Sequence, residues 1–77
     1  MNLENNPRYK DLMNQYENIN EFITDEIENL KYLLENQLIS DINLINIHYR
    51  IHDLILKRNN ITNEIYDEFQ IIIIDEI

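Results

Sequence analysis

From Pro7 onward the apolar positions fall in steps of three and four: Tyr9, Leu12/Met13, Tyr16, Ile19, Ile23, Ile27, Leu30 and Leu34. That spacing draws one stripe along an α-helix. Pro7 suits the first helical turn, where its missing N–H is no loss, and Asn5 or Asn6 can cap the N–H groups that follow. The stripe predicts a helix from about residue 7 to 38, or two helices broken near Asn18–Asn20, where asparagine prefers caps to interiors. Its phase runs unbroken through that point, which favours one long helix.

Ser40-Asp41 marks the next helix start. This second helix is expected to reach Leu56 or Arg58, with Lys57 and Arg58 set against the negative end of its dipole and Asn59-Asn60 as the stop. At 100° per residue, Asn43, Asn46, Arg50, Asp53 and Lys57 form one narrow polar strip. The rest of the circumference holds Leu44, Ile45, Ile47, Tyr49, Ile51, Leu54, Ile55 and Leu56, with both histidines. An apolar arc so wide belongs to a central helix covered on two sides.

A third helix, capped by Asn60 or Thr62, would place Ile61, Ile65, Phe69, Ile72 and Ile73 on one side, flanked by Tyr66 and Ile77. Glu64, Asp67, Glu68 and Asp75 take the other side. The closing QIIIIDEI is ambiguous: four β-branched residues in a row favour a strand. The phase set by Ile61, Ile65 and Phe69 nevertheless continues into Ile72 and Ile73, and the helical reading is preferred. On that reading Ile71 and Ile74 face outward among acids.

The chain has no glycine and a single proline, which argues against an all-β fold built on tight turns. The expected architecture is all-α: a small antiparallel bundle of three helices, the first one long, forming a single domain over residues 1–77. A chain of 77 residues buries only about 60% of its unfolded surface, so a partner or self-association would help it.

Composition sharpens the picture of the surface. Cysteine is absent, which removes disulfides and thiolate metal sites. Isoleucine (16) and asparagine (13) dominate while alanine, valine and glycine are missing, as the codon supply of an AT-rich genome would produce. Lysine breaks that account: its codons are equally AT-rich, yet only Lys10, Lys31 and Lys57 occur, against fifteen acids. The net charge of −9 therefore looks selected. It repels nucleic acid and anionic membrane and attracts basic surfaces. MNLENNPRYK lacks the apolar run of a signal peptide, and Ile71–Ile74 is far short of the roughly 20 residues that span a bilayer. The reading is a cytoplasmic protein, in the host cytoplasm if phage-encoded, with no membrane or direct nucleic-acid partner.

Among the candidate chemistry, Glu17, Glu21, Asp25, Glu28 and Glu35 share one sector of the first helix, opposite its apolar stripe. Their steps rise roughly 5 to 10 Å along the axis, a scale comparable to duplex backbone charges. Such a row can occupy a groove evolved for phosphates. The plainer reading is a solvated helix face.

His48 and His52 stand at i,i+4, where two imidazoles can share a metal, but H-E-x-x-H is not met because Tyr49 replaces the glutamate. Partly buried, hydrogen-bonded histidines are the expectation, and no metal or other cofactor is assigned. No glycine-rich phosphate loop exists and no nucleophile constellation is visible, so catalysis is not expected.

The stretch IENLKYLLENQLISDINLINIHYRIHDLI, residues 27–55, resembles the small sporulation aspartyl-phosphate phosphatases through Leu30-Lys31 and Leu54-Ile55. The resemblance implies a two-helix hairpin. It does not carry the activity, because His48 and Tyr49 stand where that family has Ser and Gln, and His52 where it has the acid.

Two functional readings remain. One is a small acidic inhibitor that presents its carboxylate row to the basic groove of a nucleic-acid-handling protein, as a phage anti-defence factor of the anti-CRISPR kind would. The other is a helical adaptor, antitoxin-like partner or homodimer that makes contact through Tyr66, Ile71, Ile74 and Ile77.

Overall fold

The computed structural model describes residues 3–74. After a short 3-10 turn, Leu3–Asn5, the chain forms two helices, α1 (Pro7–Glu35) and α2 (Asp41–Phe69), packed antiparallel as a hairpin. There is no strand among the described residues. The fold is thus all-α as expected, but with two long helices in place of three. The hairpin implied by the sporulation-phosphatase likeness over residues 27–55 is present.

The ends of the helices follow from local chemistry. Asn6 caps α1 by accepting from the N–H groups of Arg8 (2.9 Å) and Tyr9 (3.2 Å), with Pro7 in the first turn. Ser40 Oγ accepts from Asn43 N–H at 3.4 Å to open α2. At the end of α1, Leu38 N–H reaches back to Leu33 O (2.9 Å) and Gln37 N–H to Leu34 O (3.2 Å), while Gln37 adopts φ 55°. Those two bonds and the left-handed residue make a Schellman stop, a place glycine usually fills.

Asn59-Asn60 does not stop α2. The inward positions Ile47, Leu54, Ile61 and Ile65 keep one helical phase straight through it, and packing on α1 outweighs the weak helix propensity of asparagine. The expected caps of a third helix lie inside α2, where Thr62 Oγ1 donates to Asn59 O at 2.9 Å. Arg58, expected at a helix C-terminus, is instead buried at mid-helix, and its Nη1 donates to Asn20 Oδ1 at 2.9 Å.

The helix ends at Gln70, which is left-handed (φ 57°) and donates its N–H to Tyr66 O at 2.7 Å. Here the helical reading of residues 70–74 fails. Phe69 stands beside Tyr9, and Glu64 and Glu68 beside Arg8, so a longer α2 would overhang the start of α1. With no neighbour left to reward helical phase, the poor helix propensity of consecutive isoleucines decides. Ile71 and Ile73 turn in against the core while Ile72 and Ile74 are 75% and 79% exposed. That alternation of period two reverses the expected roles of Ile71 and Ile72.

The core is thin. Leu12, Tyr16, Ile61 and Ile65 form its main cluster, flanked by Tyr9, Met13, Ile19, Phe69, Ile71 and Ile73; among the described residues, Ile23 and Ile47 are the other buried apolar ones. The molecule is a rod of 52 × 18 × 16 Å with a radius of gyration of 15.6 Å.

Candidate interaction surfaces

Helix α1 carries its buried residues on one side, Leu12, Tyr16 and Ile23. At 100° per residue the sector of Glu17, Glu21, Asp25, Glu28 and Glu35 lies roughly 150° from them. All five are exposed. From Glu17 to Glu35 the row covers about 27 Å of helix at 1.5 Å per residue.

Arg8 and Arg50 engage other carboxylates. Arg8 Nη2 contacts Glu64 Oε2 at 3.0 Å, its Nε contacts Glu68 Oε1 at 3.2 Å, and its Nη1 lies 3.8 Å from Asp11 Oδ2. The hydrogen bond and charge of Glu68 push the Arg8 pKa above its usual value, so this guanidinium stays charged at any working pH. Arg50 Nη2 reaches Glu26 Oε2 at 3.3 Å. None of these ion pairs uses a carboxylate of the row, and Lys31 is the one cation between Glu17 and Glu35 in sequence.

The polar strip of α2, Asn43, Asn46, Arg50, Asp53 and Lys57, is exposed as expected. The wide apolar arc, expected to be covered on two sides, is covered on one. Ile47, Arg58, Ile61 and Ile65 are buried, whereas Ile42, Ile45, Tyr49 and Leu56 remain exposed on the far side. His48 and His52 stand on that exposed side and are not part-buried, because α1 covers only the opposite face. No third His, Asp or Glu gathers with them among the described residues.

Of the C-terminal positions expected at an interface, Tyr66 and Ile74 are exposed, Ile71 is half-buried on the core, and Ile77 lies outside the described residues. Sequence reasoning passed over Phe22, Tyr32, Leu38 and Ile42, all exposed. The signal available for Ile42 was its place three residues before Ile45 and seven before Tyr49. No helix among the described residues is long and apolar enough to cross a membrane.

Comparison with protein-family models, with curated proteins and with solved structures finds no match to this chain.

Proposed function

We propose that this protein is a small non-enzymatic inhibitor that binds a partner protein through the acidic face of α1. The observation that carries the reading is the carboxylate row itself: five exposed acids on the side of α1 away from α2, left out of the ion pairs that Arg8 and Arg50 make. Like charges at i,i+4 cost a few tenths of a kcal/mol each in an isolated helix. Glu17, Glu21 and Asp25 stand at that spacing with no basic residue between them. Carboxylates held on a rigid helix resemble a phosphate backbone to a basic groove, which makes a nucleic-acid-handling protein the fitting target. A phage anti-defence factor of the anti-CRISPR kind is the biological setting that matches this surface.

The test is a binding titration against a basic nucleic-acid enzyme at roughly 50 and roughly 200 mM salt. Affinity should fall steeply with salt and be lost in the triple variant Glu21→Lys, Asp25→Lys, Glu28→Lys. Binding that ignores salt, or survives the triple variant, removes the mimicry reading.

A second reading, a helical adaptor or antitoxin-like partner, is favoured by the exposed apolar side chains at the C-terminal end, Tyr66, Ile72 and Ile74. Replacing Ile72 and Ile74 by serine should abolish partner capture on that reading and leave it intact on the first.

A further inference from the structure

Five positions on the uncovered side of α2 recur at steps of three, four, three and four: Ile42, Ile45, Tyr49, His52 and Leu56. A mean spacing of 3.5 residues is the seam of a coiled coil, in which two helices cross at a shallow angle and interdigitate. The face that α2 gives to α1, through Ile47, Leu54, Ile61 and Ile65, lies roughly opposite on the helix circumference. Ile42 is 71% exposed, Ile45 53%, Tyr49 67% and Leu56 49%, so the seam is not consumed by packing within the hairpin. A shallow apolar depression on this face is lined by Ile45, His48, Tyr49 and His52. Those four positions are the ones that frame a hole for the knob of a facing helix.

Charge selects the occupant. Between residues 41 and 57 two acids, Asp41 and Asp53, balance two bases, Arg50 and Lys57, a net of zero in a chain of −9, while Arg58 is buried on the side of α1. The rest of the molecule therefore carries the whole −9, and this segment is where two copies can meet with the least like-charge repulsion. A strongly charged foreign helix, basic or acidic, finds no complementary row here. A neutral stripe of the same period fits, and the chain itself supplies one.

We propose that two copies pair through this face, α2 against α2, parallel and in register. Parallel pairing sets like against like: Ile42, Ile45 and Leu56 each meet themselves, and the polar His52 meets His52 rather than an isoleucine. It also brings the flanking His48 of one copy beside Asp53 of the other, twice by the two-fold symmetry. The two acidic faces of α1 then stand on the outside of the dimer, still accessible.

Sedimentation equilibrium reads the mass directly. Wild type should sediment at twice the chain mass of 9.5 kDa, and Ile45→Glu/Tyr49→Glu at the single mass with unchanged helical circular dichroism, since both positions are exposed in the hairpin. Because each copy carries −9, added salt screens the repulsion and should tighten the dimer. That trend is opposite to the one expected for the carboxylate row, so the failure of either proposal is visible independently. The absence of cysteine makes Leu56→Cys a clean probe, which should form a disulfide dimer on mild oxidation through self-contact in the parallel register. A single-chain mass for wild type at sub-millimolar concentration overturns the proposal. So does a dimer that survives Ile45→Glu/Tyr49→Glu, or a Leu56→Cys chain that stays unlinked.

Discussion

The two ends of the hairpin are built from the same two helices and are finished differently. At the open end, where α1 starts and α2 stops, Leu12, Tyr16, Ile61 and Ile65 are buried, Tyr9 and Phe69 meet edge to face at 5.4 Å, and Ile71 and Ile73 fold in against them. Arg8 ties the helix start to Glu64 and Glu68. At the turn end Ile47 is the buried apolar residue of α2, while Tyr32, Leu34, Leu38, Ile42, Ile45 and Tyr49 are exposed. The open end makes a third layer from its own tail. The turn end has two layers and an apolar outer face, which is where an added partner would supply the missing cover.

The largest effect that separates the ends should come from Leu12→Ala or Ile65→Ala. Deleting a fully buried aliphatic side chain costs about 2–5 kcal/mol, measurable by urea unfolding. The same exchange at Ile45 should change the unfolding free energy of a monomeric variant by about 0.5 kcal/mol or less, as at other exposed sites. Equal losses at Ile65 and Ile45 would erase the contrast.

Next in size is removal of the tail layer. Ile71→Ser with Ile73→Ser takes away two half-buried side chains, each a fraction of the roughly 1.5–3 kcal/mol that full burial of an isoleucine contributes. Native-state hydrogen exchange should then show faster opening of the N-terminal turns of α1, with the turn end unchanged. In wild type at concentrations low enough to hold single chains, amides of residues 41–56 should exchange faster than those of residues 58–66.

Smaller still, Gln37→Gly should stabilise the turn end by about 1 kcal/mol or less, because glycine enters the left-handed region without the Cβ clash that glutamine bears. A thermal melt with a lower midpoint would contradict this. The smallest expected effect is Arg8→Ala, whose ion pairs are solvent-exposed. It should lower the melting midpoint slightly at low salt and not measurably at high salt.

What the sequence made legible was local. Asn6-Pro7 and Ser40-Asp41 open helices because a side-chain oxygen and a preset φ act within one turn, and both are where the pattern puts them. The unbroken stripe through Asn18–Asn20 is likewise one helix. Asn59-Asn60 misled for the same reason: cap preference is also local, and it lost to an inward phase that only the presence of α1 rewards. The run from Gln70 to Ile74 misled in the opposite sense, because the helical phase of Ile61, Ile65 and Phe69 was carried past the point where α1 begins and offers no further cover. The carboxylate row was legible as geometry, since exposure follows from its position opposite the apolar stripe. The outer face of α2 was legible as a wide arc but not as an unfilled one, because the number of covering helices is a tertiary fact.

The rod shape carries a practical consequence. A compact chain of 77 residues has a radius of gyration near 11 Å, well below the 15.6 Å of this hairpin. An elongated body drags more solvent than a sphere of equal mass and tumbles slowly about its short axes. On a sizing column a single copy therefore elutes ahead of globular standards of its own weight, mimicking a larger species. Parallel pairing along the long axis would thicken the rod more than lengthen it, so that frictional ratio should fall on association even as mass doubles.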